Sequence, residues 1–543
     1  MSIIVIGGGA SGLHAALTLL DRGAAVTLVD PGLPRANYPH DGTPFSALPE
    51  VLADPAGFFL GADFQAVHVP RPGGGREYYG LPPSKDFIFD GPRDVPFRPD
   101  GMAALRSFAT GGLGEAWTAG AYAFDADDMA GWPVSAAQMA PFYDQVAARI
   151  GIGGQADDLT PHMPLHAHLH DPIALDPASA ALLARYEARR DRLARRVPGF
   201  RLGRSRQAAL SGPRPGRGGC TLCGRCLWGC PNGALYTPGL SLRDCMGHDA
   251  FTYLPGHLVR RFDYDGDGQV TGLVLVPRQG GPARRLTAST YVLACGTLET
   301  GRVMLESLRH HTGRTVALTG LMDNRQILAP FYNFAMFGQP QPVDAYQYHQ
   351  LAMGLAPTAD RPYVHGQITT FSSGDLHPVI QQMPLPLPRA GTVMQAIRSG
   401  LGVVNLNFAD TRRAGNMLTL DAGTGSADSP AVLAARYRPG AGEAPMRRAA
   451  LAQVARGFRA LGAPLVPGMT HIRPMGSSVH YAGTLPMSDT PAPLSTDRTG
   501  RSHDFGNLYI ADGSVFPGLP AKNLTFTLMA NATRIAAGIP AGS

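Results

Sequence analysis

The sequence predicts an α/β fold in which a Rossmann-like dinucleotide-binding domain is discontinuous along the chain and a second domain is built on a largely antiparallel sheet covered by helices. Three observations carry this. A strand, a glycine turn and a helix open the chain, a second strand, turn and helix close it, and strand-like apolar stretches at 331–337 and 402–408 lie between.

Ile3 to Ile6 reads as a short buried strand running into Gly7-Gly8-Gly9-Ala10-Ser11-Gly12, after which Leu13, Ala16, Leu17 and Leu20 recur at helical spacing. A second strand, Ala25 to Val29, ends in Asp30. Each position meets a demand of a bound dinucleotide. Gly7 permits the tight turn, Gly9 lets the pyrophosphate approach the backbone, and Gly12 lets helix and strand pack closely. Ser11 lies in the turn, the helix N-terminus offers N–H groups and a positive dipole, and Asp30 can accept hydrogen bonds from an adenosine ribose.

Near the other end, Leu508 to Ala511 reads as a buried strand delivering Asp512 and Gly513 into a small-residue turn, followed by a Pro-Gly-Leu-Pro loop and an apolar helix. Asn523 and Leu524 stand near that helix's start, where unpaired N–H groups suit a polar cofactor. Upstream, Ser478-Val479-His480-Tyr481-Ala482-Gly483-Thr484 places a histidine in a small-residue loop.

Together these blocks resemble the glucose-methanol-choline (GMC) family of FAD-dependent oxidoreductases. Internal blocks agree: Gly111-Gly112-Leu113-Gly114-Glu115-Ala116-Trp117 is similar to the family's second glycine loop over the flavin, and Val292 to Thr300 to the strand-turn that closes its FAD domain. Leu485-Pro486-Met487 and Leu524 depart from residues common in relatives. The resemblance implies FAD, contacted by Gly7, Gly9, Ser11, Gly12, Asp30, Gly111, Gly112, Gly114, Trp117, Asp512, Gly513, Asn523 and Leu524. It also places His480 and Asn523 on the substrate side of the flavin. A neutral imidazole can take the hydroxyl proton while a hydride leaves the carbon for flavin N5, and a fixed amide can orient the substrate oxygen.

Five of the six cysteines fall within 26 residues, four of them as Cys220-x2-Cys223-x2-Cys226-x3-Cys230-Pro231, the run used by bacterial ferredoxins. One such run is compatible with a three-iron cluster on three thiolates or a four-iron cluster closed by Cys230 or Cys245. Structural cysteines are the bland alternative, and zinc or disulfides fit the spacing less well. Some bacterial sugar dehydrogenases of the family have a similar cysteine-rich segment, which points to a sugar or cyclic polyol as substrate. Cys295 reads as core.

The chain has 543 residues, 44% hydrophobic, with 67 Gly and 48 Pro, a composition that excludes global disorder. Of its 47 basic residues only Lys85 and Lys522 are lysine, so the net charge of +6 reads as an arginine-rich coding bias, and no nucleic-acid recognition motif accompanies it. No signal-peptide pattern or long apolar run is present, so no transmembrane segment and a cytoplasmic location are expected. Asp263 to Gly268 reads as a hairpin turn because a calcium loop would need Glu where Val274 stands. His162, His166, His168 and His170 read as a solvated loop and the arginine-dense 185–206 as a solvated helical face.

The expected organisation is an FAD-binding domain from 1–160, 200–310 and 500–543 and a substrate domain over 311–499. Asn333, Tyr346, Tyr348 and His349 are candidate substrate contacts, each equally explained by packing. The expected function is an FAD-dependent dehydrogenase acting on CH–OH, passing electrons through the iron–sulfur cluster to an acceptor protein. The alternatives are an oxidase making hydrogen peroxide, a flavin-retaining lyase, or an electron-transfer subunit.

Overall fold

The computed structural model describes residues 2–32, 42–64, 82–88, 95–371, 384–421 and 431–540. Its dinucleotide-binding half is organised by a five-stranded parallel sheet. The strands run in the spatial order Leu508–Ile510, Thr290–Leu293, Ser2–Ile6, Ala25–Val29 and Phe251–Leu254. Sequence neighbours are therefore not the only neighbours in space, which is how both termini reach one site.

The first strand is apolar without alternation because both its faces are covered. Ile3 and Val5 pack with Leu13, Leu17 and Ile535 on one side, under helices Ala10–Asp21 and Thr525–Gly538. Ile4 and Ile6 face the other side and join the larger core, to which helix Thr297–Thr312 also contributes. The acidic turn at 265–268 joins antiparallel strands His257–Tyr264 and Val270–Pro277, as the sequence suggests.

The second sheet has six antiparallel strands in the order His471–Ile472, Arg325–Tyr332, Leu401–Phe408, Val364–Thr370, Leu351–Leu355 and Phe200–Arg204. Two differences from the sequence reading stand out. The strand expected over 331–337 lies earlier and gives way to a short 3-10 turn at Phe334–Met336. Phe200–Arg204, placed by sequence with the FAD-binding stretch, instead pairs along Leu351–Leu355.

The register separates the two faces of this sheet. Ile327, Leu406, Met353 and Leu202 point one way into a core closed by Leu182 and Tyr186 of helix Pro177–Arg196 and by Val454 and Phe458 of helix Glu443–Ala460. On the opposite face, Gln326 aligns with Asn407 and His365, and Asn405 with Gln367. A strict two-residue period thus builds an apolar face under helices and a neutral polar face toward the site described next. Among the described residues, no helix is long and apolar enough to cross a membrane.

Candidate active site

The glycine turn does what its spacing demands. Gly7 adopts φ +103, and a side chain there would press on Ala294 O at 2.6 Å. A Cβ on Gly12 would overlap Gly7 O, so helix and strand can meet only through glycine. Gly9 faces the second glycine loop, where a Cβ would meet nothing nearer than Gly111 O at 3.9 Å, and Gly112 faces back toward Gly9 Cα at the same distance. No side chain caps the helix that begins at Ala10. An open seam between two glycine loops, ending on uncapped helix amides, fits a pyrophosphate.

Other predicted cofactor residues are held by the protein itself. Asp30 is buried, accepts Gly8 N–H and the Tyr253 hydroxyl at 3.2 Å each, and is pushed up to about 6 by burial. Asp512 accepts from Gly296 N at 2.9 Å and Thr300 Oγ1 at 2.5 Å with one oxygen, and from the backbone N–H and hydroxyl of Ser514 with the other. It ties the two strand ends together. Gly513 abuts Tyr481 O, where a Cβ would lie at 2.6 Å. Trp117 donates to Tyr236 O at 2.8 Å, Gly114 packs against Pro238, Ser11 is buried, and Leu524 is buried at the start of the last helix.

His480 follows Val479, a β-branched residue at φ 55, a strained position fixed by its surroundings. Ser478 donates to buried Asp323 and accepts His480 N–H at 3.0 Å, while Gly476 N–H donates to Asp323 at 2.5 Å. The imidazole Nδ1 lies 2.9 Å from Asn324 Oδ1. Asn324 in turn donates its amide hydrogens to Phe408 O at 2.8 Å and Pro520 O at 2.9 Å, both acceptors only. Its Oδ1 must therefore accept, so Nδ1 of His480 carries the proton and Nε2 presents a lone pair. Burial, with Arg473 adding to it, lowers the His480 pKa to about 4, which keeps the ring neutral above that pH.

Asn523 accepts from Gln367 Nε2 at 3.0 Å, which leaves its own amide N–H groups to be donated elsewhere. The same Gln367 nitrogen lies 3.2 Å from His349 Nε2. Of the four substrate-contact candidates only His349 joins this network. Asn333 accepts from Arg185, Tyr348 donates to Cys226 O, and Tyr346 is buried beside the cysteine loop, where the Cys226 thiol raises its pKa after burial itself. Asn324 and Gln367 were missed from sequence. Gln367 had a signal, the His-x-Gln alternation within a strand, whereas Asn324 had none.

The cysteine segment winds through residues at positive φ, Leu222, Gly224 and Gly229. Backbone N–H groups are aimed at three of its sulfurs: Leu222 at Cys220, Gln347 at Cys226 and Leu235 at Cys230, the last at 3.5 Å. All six cysteines are free, and burial raises Cys220 to about 11 and Cys226 well above its ordinary value. Among the described residues no three His, Cys, Asp or Glu side chains come together to hold a metal ion. The predicted Cys220, Cys223, Cys226 and Cys230 set is thus close enough for mutual electrostatic influence but is not gathered on one point. Cys245 is buried in the core with its thiol 3.9 Å from Leu13 O. His162 and His166, read as solvated, instead pack on Tyr363 and Phe526.

Residues 416–532 match the GMC oxidoreductase family. The chain is 25% identical to the 6'''-hydroxyparomomycin C oxidase of Streptomyces lividus over 99% of its own length and 91% of that protein's. It is 25% identical to the paromamine 6'-oxidase of Streptomyces fradiae over 75% and 72% of the two chains. It is 24% identical to the 2-methyl-1,2-propanediol dehydrogenase of Mycolicibacterium austroafricanum over 74% and 73%. Among solved structures, pyridoxine 4-oxidase from Mesorbium loti shares the fold with a TM-score of 0.60 at 16% identity, covering 99% of both chains. Residues 416–532 thus carry a GMC oxidoreductase domain, and the chain is similar to an oxidase along nearly its whole length.

Proposed function

We propose that the protein oxidises a CH–OH group of a sugar or cyclic polyol, with His480 Nε2 as the proton acceptor and Asn523 as the donor to the substrate oxygen. The supporting observation is Asn324, whose amide is committed to two carbonyls and so holds His480 in the one tautomer that leaves Nε2 free. FAD held in the glycine seam would supply the hydride acceptor. Gly7, Gly9, Gly12, Gly111 and Gly112 form the seam, and Asp30, Gly114, Trp117, Asp512, Gly513 and Leu524 shape its walls. The substrate hydroxyl donates to Nε2 while its oxygen accepts from Asn523, so the proton leaves as negative charge on that oxygen meets a fixed donor. Gln326, Asn405, Asn407, His365 and Gln367 make the adjoining sheet face neutral and polar, which suits a hydroxylated, uncharged ring. The stretches 1–160, 200–310 and 500–543 would carry the flavin and 311–499 the substrate.

The same reading assigns an iron–sulfur cluster to the 220–230 segment, and with it electron delivery to an external acceptor protein. Four thiols at ferredoxin spacing with amide hydrogens aimed at three sulfurs support it. Such a cluster, when bound, carries single electrons. The oxidase reading is favoured by the names of two relatives.

The test adds paromamine, glucose, myo-inositol and 2-methyl-1,2-propanediol anaerobically and follows flavin bleaching, with iron content and EPR on the same sample. Bleaching by at least one alcohol is expected. Cleavage of a substrate without bleaching would favour a lyase. Reoxidation by air with stoichiometric hydrogen peroxide would replace the dehydrogenase by an oxidase, and flavin without iron would remove the cluster.

A further inference from the structure

Forty-seven basic residues serve this chain, and all but two are arginine. Both exceptions are buried, and both hold a loop of the site. Lys85 donates to Glu115 O at 2.7 Å, in the second glycine loop. Lys522 precedes Asn523 and is wholly enclosed. Its ammonium donates to Asp125 Oδ2 at 2.9 Å, to Asp128 and to Ala123 O at 3.4 Å, so its three hydrogens are matched by three acceptors. The two carboxylates brace one another: Asp125 N–H donates to Asp128 at 3.1 Å, and Asp128 N–H to Asp125 at 2.9 Å. The Tyr363 ring closes the cage, its centroid 5.5 Å from the ammonium.

The loop is also tied on either side of Lys522. Pro520 O accepts from Asn324, the same amide that orients His480, and Asn523 accepts from Gln367. We propose that Lys522 is a positioning residue that sets the aim of Asn523, and that the site requires lysine there. A compact tetrahedral ammonium meets three acceptors within the cage, whereas a planar guanidinium of five donors is larger and forked and would displace the loop. A composition that uses arginine at all but two of its basic positions makes the exception informative. Anchored at 520, 522 and 523, the loop has little freedom, and the Asn523 amide reaches the substrate oxygen at an angle fixed by the 123–128 segment.

The proposal rests on the assignment of Asn523 as donor to the substrate oxygen. The test measures the rate of anaerobic flavin bleaching, with the fastest alcohol of the screen above, in Lys522→Arg, in Asn523→Ala and in the double variant, together with backbone amide exchange over 518–524. Lys522→Arg is expected to slow bleaching on the order of tenfold at saturating alcohol, with half-saturation changed less than about threefold, because a misaimed donor fails chiefly in the transition state. In the Asn523→Ala background the same change should cost less than about twofold, since two residues acting as a unit are not additive. Exchange over 518–524 should rise. Equal losses in both backgrounds, a rate within about twofold of the unaltered protein, or unchanged exchange would overturn the proposal. If Asn523→Ala alone leaves bleaching unaffected, the role of Asn523 fails, and unchanged exchange then decides against Lys522 separately. Should Lys522→Arg not fold, Asp128→Asn perturbs the same cage and is read by the same outcomes.

Discussion

The His480 and Asn523 corner and the cysteine loop are both rich in functional groups, yet they are finished to different degrees. At the first, each polar side chain has its direction set by a protein partner: Asn324 holds the imidazole and Gln367 the amide. At the second, amide hydrogens reach three sulfurs, yet the four thiols do not meet at a point. The first region is preorganised by the polypeptide alone. The second is a set of thiols at ligand-like spacing that are not gathered, and the proposed cluster would have to draw them together.

That contrast can be broken most severely at His480. Replacing it by Ala should slow anaerobic bleaching by about 10²- to 10⁴-fold, the usual value of a positioned base, with FAD retained. Bleaching at the native rate would remove the first region's claim. Asn324→Leu should slow it by about 10- to 100-fold, because Nδ1 loses the acceptor that selects its proton, and comparison with His480→Ala measures how much of the base's value is orientation. Cys226→Ser tests the second region: iron content and reduction of an artificial acceptor should fall severalfold, while substrate bleaching changes by less than about twofold if the two regions work in sequence. Iron retained in full would sever the loop from any cluster.

The gentlest test is pH. The folded-state pKa of His480 is lowered, so the neutral form persists down to about 4. Bleaching under subsaturating alcohol should then be level between about pH 5 and 8 and decline as acid protonates Nε2. The linked stability term has the same direction. A histidine that folds neutral opposes folding once the unfolded ring protonates, so stability is lost as pH falls below about 6.5. A decline in bleaching already centred near pH 6.5 would mean an imidazole open to solvent.

What the sequence disclosed was local. Gly7, Gly9, Gly12 and Asp30 stand within one strand-turn-helix-strand unit, and spacing along the chain is spacing in the fold. His480 and Asn523 were legible as parts of family blocks. Their partners were not, because Asn324 lies 156 residues from His480 and Gln367 156 residues from Asn523, and single amides leave no pattern. The ferredoxin-like spacing was legible too, but spacing specifies donors and not their convergence. Lys522 is legible in the sequence as one of only two lysines among 47 basic residues, and rarity inside a strongly biased composition is itself a signal.

The enclosure of both lysines has a practical consequence. Amine-directed acylating reagents ordinarily label a protein's lysines while it is folded, but here both ε-amino groups are shut away, Lys522 completely. Appearance of label on these two residues would therefore time the opening of the glycine loop and of the 520–523 loop separately, a pair of built-in unfolding clocks read by mass alone.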